Sequence, residues 1–125
     1  MSQFLSPASP GFLDLDVALS QIGDVEAMND MLVMLQTFLS REVPQIASLL
    51  QQHDTAGASQ LLHALKGFIP IFCPETFCHE VGRVEGLSKA ADSAALVMAY
   101  ASLQPQLEQL LAEVSAYLVR HGPAS

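Results

Sequence analysis

Apolar residues that recur in steps of three and four constrain the fold of this chain more than any other feature. One series consists of Met28, Leu32, Leu35, Leu39, Val43, Ile46 and Leu50. Such steps place side chains on one face of an α-helix. A shorter series runs from Phe77 to Leu87 and a longer one from Leu96 to Tyr117. No useful stretch alternates with a period of two, so the sequence predicts no β-strand.

Proline, glycine and serine mark the start of the chain as different from the rest. The first twelve residues contain Pro7, Pro10, Gly11 and three serines, so residues 1–12 are predicted to form a flexible leader. A helical domain is predicted over residues 13–120. Because the connections between its helices are short, neighbouring helices should run antiparallel. We therefore predict an all-α fold, an antiparallel up-down four-helix bundle with a short extra N-terminal helix.

Capping residues and prolines refine the helix boundaries. The short first helix is expected over residues 13–22, and Asp24 and Asp54 are expected to cap the two helices that follow. Pro44 and Pro105 lie inside helical series, where each should remove one backbone hydrogen bond and bend the helix. Methionines at helical spacing in the same region are predicted to fill the core or its edge, namely Met28, Met31 and Met34.

Charge and cysteine content restrict the functional class. The net charge is -8, with 5 Lys and Arg against 13 Asp and Glu, which argues against nucleic acid or an anionic membrane as a partner. No apolar run is long enough for a membrane span, and the N-terminus lacks the features of a secretory signal. The spacing of Cys73, Cys78 and His79 matches no common zinc pattern, so buried thiols and no metal are expected. A cytoplasmic protein is predicted.

The helix that contains His63 is polar on one side only. At about 100° per residue, an apolar cluster is expected on one side, formed by Ala58, Leu61, Leu65, Phe68 and Phe72 and flanked by Leu62 and Ile69. The opposite side is expected to hold Ala56, Ser59, Gln60, His63, Lys66, Gly67 and Pro70. His63 is thus predicted to face solvent in mid-helix, which for a lone histidine usually signifies only a solvated side chain.

The neighbours of His63 suit phosphoryl transfer. A neutral imidazole has a free nitrogen lone pair that can attack phosphorus. Lys66 lies three residues further along, where its ammonium group can screen the charge of a phosphoryl group. Gly67 leaves bare backbone beside the ring, at a cost in helix stability that makes sense if another protein must approach closely. A convex helix face has no small-substrate pocket, so a partner would have to supply the phosphate.

The segment HALKG, residues 63–67, resembles the motif of the histidine-phosphotransfer family. The resemblance extends upstream through FLSREVPQIASLLQQHD and downstream through VGRVE, which ends at Glu85. It implies a four-helix bundle with a short extra helix. It also implies that His63 accepts a phosphoryl group from the aspartyl phosphate of a receiver domain and passes it to another receiver, with Lys66 stabilising the group.

The resemblance also implies the partners of the chain and a docking face for them. Response-regulator receiver domains and a sensor histidine kinase are the expected partners, and magnesium is expected on the receiver rather than here. The expected docking residues are Gly67, Ser59, Gln60 and Pro70. The chain departs from the family pattern after Gly67, where Phe68 and Ile69 replace small residues and Cys73 replaces a frequent second glycine. Pro70 removes the amide that would bond to the carbonyl of Lys66, so it is expected to kink the helix one turn past the motif.

Two alternatives of other classes remain at the level of the sequence. The departures after Gly67 would also suit a non-phosphorylated helical adaptor that binds a receiver or a histidine kinase. A spare apolar stripe would suit a bundle that forms oligomers. Against these alternatives, we predict a monomeric phosphocarrier without an independent catalytic site.

Overall fold

The computed structural model describes residues 11–90 and 93–122, and this part of the chain forms five helices without a strand. They are α1 (Leu15–Ile22), α2 (Val25–Gln51), α3 (Thr55–Phe72), α4 (Glu75–Leu87) and α5 (Ser93–His121). The predicted all-α class is confirmed. Most of the predicted leader, residues 1–10, lies outside the described residues.

An aspartate occupies the N-cap of each of the first three helices. The first of them, Asp14, explains where α1 begins. Asp14 accepts hydrogen bonds from the backbone amides of Asp16 and Val17, both at 3.1 Å. Because Asp14 occupies the N-cap, α1 begins two residues later than the predicted position 13. Asp24 and Asp54 cap α2 and α3 as predicted.

The core lies among the four long helices. Helices α2 and α4 each pack against α3 and α5, and α1 packs against α2 and α3. All seven residues of the predicted α2 stripe, from Met28 to Leu50, are buried. The buried hydroxyl of Tyr100 on α5 donates to the carbonyl oxygen of Val43 on α2 at 2.8 Å. Burial of these apolar side chains is the main force that holds the helices together.

Two predictions about individual apolar residues are wrong in detail. Leu62 and Ile69, expected to flank the core face of α3, are fully buried, whereas Leu61 and Phe68 are only half-buried. The reason is that α3 packs against both α2 and α4, and Phe68 lies at the α2 edge with its ring centroid 5.1 Å from that of Phe38. Met34 is predicted to fill the core or its edge, but it is 57% exposed.

Prolines lie inside three helices without ending them. Pro44, Pro70 and Pro105 are within α2, α3 and α5, and all three side chains are exposed. Helix α3 continues through Pro70 as far as Phe72. Since the carbonyl four residues before each proline loses its amide partner, an exposed position lets water replace that hydrogen bond.

A buried amide joins the start of α2 to the end of α5. The side-chain nitrogen of Asn29 donates to the carbonyl oxygen of His121 at 2.9 Å. Its side-chain oxygen accepts from the hydroxyl of Tyr117 at 2.7 Å. Asn29 is one of few buried polar residues in the described part of the chain, and both ends of its amide are paired.

The segment before α1 is attached to α5. The backbone amides of Phe12 and Leu13 donate to the carboxylate of Glu113 on α5.

The two thiols are wholly or partly removed from solvent. Cys73 is buried and Cys78 half-buried, and burial raises the pKa of both thiols. The residues that the structure describes contain no group of three or more His, Cys, Asp and Glu side chains arranged to hold a metal ion. None of the described helices is sufficiently long and apolar to cross a membrane.

Candidate functional site

His63 projects from the middle of α3 into solvent. Its side chain is 71% exposed, as the periodicity of the helix predicts. The only side chain bonded to the ring among the described contacts is Glu85 of α4, whose Oε2 atom lies 3.3 Å from the Nδ1 atom of His63. The imidazole is therefore accessible to another molecule and at the same time oriented by a neighbouring helix.

Glu85 is the centre of the site and its most buried member. Its side chain is 2% exposed and lies between α3 and α4. Three groups contact the carboxylate: the ring of His63, the Nζ atom of Lys66 at 3.4 Å, and the Nζ atom of Lys89 at 2.9 Å. A buried carboxylate is costly unless it is paired and hydrogen-bonded. Here the two ammonium groups and the imidazole provide that pairing.

Glu85 remains ionised at neutral pH. The hydrogen bond from Lys89 lowers the pKa of Glu85 most strongly, burial opposes this effect, and His63 and Lys66 lower the pKa further. An ionised carboxylate has no proton to donate and can only accept hydrogen bonds. The Nδ1 atom of His63 must then carry the hydrogen of this contact.

This hydrogen bond determines which nitrogen of the ring is reactive. In the neutral imidazole only one nitrogen carries a hydrogen, and the other keeps its lone pair. With the hydrogen on Nδ1 and directed at Glu85, the lone pair of His63 is on Nε2. The nitrogen that could act as a nucleophile is therefore Nε2, the one remote from the buried carboxylate.

Lys66 and Lys89 place two ammonium groups near the imidazole. Lys66 lies three residues after His63 on α3, and Lys89 lies four residues after Glu85, in the turn that follows α4. Their side chains are 49% and 58% exposed. Each can keep its contact with Glu85 and still attract an anion that arrives at His63 from solvent.

The other residues predicted for docking are not all equally open. Gly67, Gln60 and Pro70 are exposed on α3. Ser59, which the helical angles placed on the open side, is half-buried because α4 packs beside it. Its hydroxyl oxygen accepts a hydrogen bond from the hydroxyl of Ser88 at 3.0 Å. Ser59 thus helps to join α3 to α4.

Sequence reasoning did not assign a role in the site to Glu85 or Lys89. Glu85 entered only as the end of a stretch that resembles the fourth helix of the family. The available signal was a carboxylate next to the apolar residue Val84, with a lysine four residues later. That signal alone does not reveal that the carboxylate faces His63, since the contact joins residues 22 apart on different helices.

Comparison of the chain with family models, with curated proteins and with solved structures gives no match. The geometry around His63 and the HALKG motif are therefore the basis for assigning a function.

Proposed function

We propose that this chain is a histidine-phosphotransfer protein of a two-component phosphorelay. It accepts a phosphoryl group on His63 from the aspartyl phosphate of a receiver domain and passes it to another receiver. The observation that carries this proposal is the exposed imidazole whose Nδ1 atom is held by the buried carboxylate of Glu85. A surface histidine without a specific role is typically hydrated by water and is not oriented by a buried carboxylate.

The geometry supports a simple transfer step. The Nε2 lone pair of His63 attacks phosphorus, the new N–P bond forms, and the bond between phosphorus and the aspartyl oxygen breaks. The aspartate leaves as a carboxylate, and no proton has to move. The phosphorylated ring keeps its hydrogen on Nδ1 and is therefore cationic. Glu85 stabilises that cation through a charge-assisted hydrogen bond, and the reverse sequence returns the phosphoryl group to a second receiver.

Two lysines favour the same reaction electrostatically. The phosphoryl group brings negative charge to a surface where the ammonium groups of Lys66 and Lys89 lie on either side of Glu85. Fixed positive charge near a transferring phosphoryl group lowers the barrier to transfer. The receiver supplies the phosphate and its magnesium ion, so the chain acts as a phosphocarrier rather than as an independent enzyme.

The fold and setting that we propose agree with this role. Only residues 52–54, 73–74 and 88–92 connect the four long helices, and connections of this length suit an antiparallel up-down bundle. A cytoplasmic monomer would meet both a sensor histidine kinase and its receivers. Neither nucleic acid nor a membrane is expected as a partner.

Labelling by two donors tests the proposal. A purified receiver phosphorylated in the presence of magnesium, and phosphoramidate as a small donor, should both label the wild-type chain with an acid-labile, base-stable phosphate. The variant His63→Gln should take up no label, whereas the exposed His53→Gln control should behave as wild type. Glu85→Ala should remain folded and label at least about tenfold more slowly, equivalent to about 1.4 kcal/mol of barrier.

The outcomes separate the alternatives. Label on His63→Gln equal to that on wild type would show that another residue is the acceptor. Binding of the receiver to wild type and to His63→Ala without any phosphohistidine would favour the adaptor function instead.

A further inference from the structure

Three glycines lie on the two helices that carry the site, and the fold does not require a glycine at any of these positions. Gly67 lies within α3, and Gly82 and Gly86 lie within α4. A Cβ atom added at any of the three would meet no atom of the surrounding structure within 4 Å. None of them has a positive φ. Alanine would therefore fit at all three positions, and its higher helix propensity would favour each helix.

The two glycines of α4 border Glu85, which contacts His63 and Lys66 on α3. Gly82 lies one turn before Glu85, and Gly86 follows Glu85 directly, three residues before Lys89 in the turn after α4. Residues three or four apart are neighbours on a helix surface. Because the Glu85 carboxylate contacts His63, this part of α4 adjoins the imidazole rather than the far side of the molecule. Glycine backbone without a Cβ atom is thus present on both of the helices that carry the site.

Charge indicates what kind of surface would cover these glycines. Lys66 and Lys89 are two of only 5 Lys and Arg residues in a chain of net charge -8. The carboxylate between them is buried and already paired. An acidic protein surface is therefore attracted here and repelled by most of the rest of the chain.

We propose that the phosphoryl-donating receiver docks over α4 as well as α3, with its backbone or small side chains against Gly82 and Gly86. The acidic groups around its aspartyl phosphate then lie near Lys66 and Lys89. This inference rests on the proposed function and extends the docking face to a helix that the HALKG motif does not include. The glycines keep the partner close enough for its phosphorus atom to reach Nε2 of His63.

Opposite effects on stability and on transfer test this inference. Gly82→Ala should raise the midpoint of thermal unfolding by about 2–4 °C, because alanine favours the helix and meets no obstacle. Gly82→Gln and Gly86→Gln should each lower the rate of label transfer from the receiver about tenfold. Labelling by phosphoramidate should stay within about twofold of wild type, since that small donor does not need the docking face. The matched control is Ser102→Gln at an exposed position of α5.

The receiver used is the one that labels the wild-type chain fastest among those encoded in the same genome. Transfer to both glutamine variants at the wild-type rate would overturn the docking proposal and leave the phosphoacceptor proposal intact. Failure of phosphoramidate and of every receiver to label wild type would overturn the proposed function itself. Equal losses with the receiver and with phosphoramidate would show that the variants disturb His63 rather than docking.

Discussion

A single buried carboxylate connects the chemistry of the site to the stability of the fold. Glu85 contacts one imidazole and two ammonium groups, all of which extend into water. Removing Lys89 would eliminate the contact that most strongly lowers the pKa of Glu85. The consequences should therefore appear in stability as a function of pH as well as in transfer.

We predict that Lys89→Gln reduces the acid sensitivity of the protein. The pKa of Glu85 is lower in the folded chain than its usual value of 4.5. The corresponding stabilisation is fully present above that value and is lost as the pH falls through the folded pKa. Since Lys89→Gln brings the folded pKa closer to 4.5, the free energy of unfolding should depend less steeply on pH below that value.

Denaturant unfolding from about pH 3 to pH 7 measures this effect. Arg41→Gln serves as the control, because it removes a cation on α2 that pairs with Glu42 rather than with Glu85. Parallel stability curves for Lys89→Gln and wild type below pH 4.5 would show that Lys89 does not control the titration of Glu85.

The residues of the site were predictable to different degrees. The exposure of His63 follows from its position opposite the apolar face of α3, and Lys66 and Gly67 follow from their spacing along the same helix. Glu85 could not be assigned in this way, because its contact with His63 depends on how α3 and α4 are rotated against each other. Helical periodicity describes one helix at a time and contains no information on that rotation.

At the scale of the elements, periodicity and caps predicted the helices well. Asp24 and Asp54 cap the helices that follow them, whereas Asp14 shortens α1. The buried face of α3 was misplaced because the sequence did not show that α3 packs between α2 and α4. Pro70 was expected to disturb α3, yet the helix continues to Phe72.

We predict that Pro70→Ala stabilises the protein. The change restores an amide that can donate to the carbonyl of Lys66, and it replaces an exposed proline in the last turns of α3 with a better helix former. The free energy of unfolding should rise by about 1–3 kcal/mol, less than in a central helix position because the helix ends at Phe72. Chemical denaturation of both proteins provides the measurement, and a decrease in stability would show that the local backbone has adapted to proline.

At the scale of the whole molecule, the chain has a high negative charge and exposes individual large apolar side chains at several positions. Among the described residues, the large apolar side chains with the highest exposures are Met34 on α2 and, far apart along α5, Met98 and Val119. Small dispersed apolar areas are normal on monomers and do not provide the area that a stable dimer requires. Repulsion between two chains of charge -8 opposes association further.

We predict that the chain sediments as a monomer of 13.4 kDa. The mass should stay constant over about a hundredfold range of concentration and should not rise when salt screens the repulsion. A dimer that accumulates with concentration would support the alternative in which an apolar stripe mediates self-association. Substitution of Met98 by Gln would then be expected to reverse it.

The amide of Asn29 has a practical consequence for shortened versions of the protein. Its two partners, the hydroxyl of Tyr117 and the carbonyl oxygen of His121, come from the last two turns of α5. A truncation before Tyr117 would leave both ends of a buried amide unsatisfied, at a cost of about 1–3 kcal/mol for each group. A shortened chain that keeps both partners of Asn29 must therefore extend through His121, although the proposed phosphoacceptor, His63, lies almost sixty residues earlier.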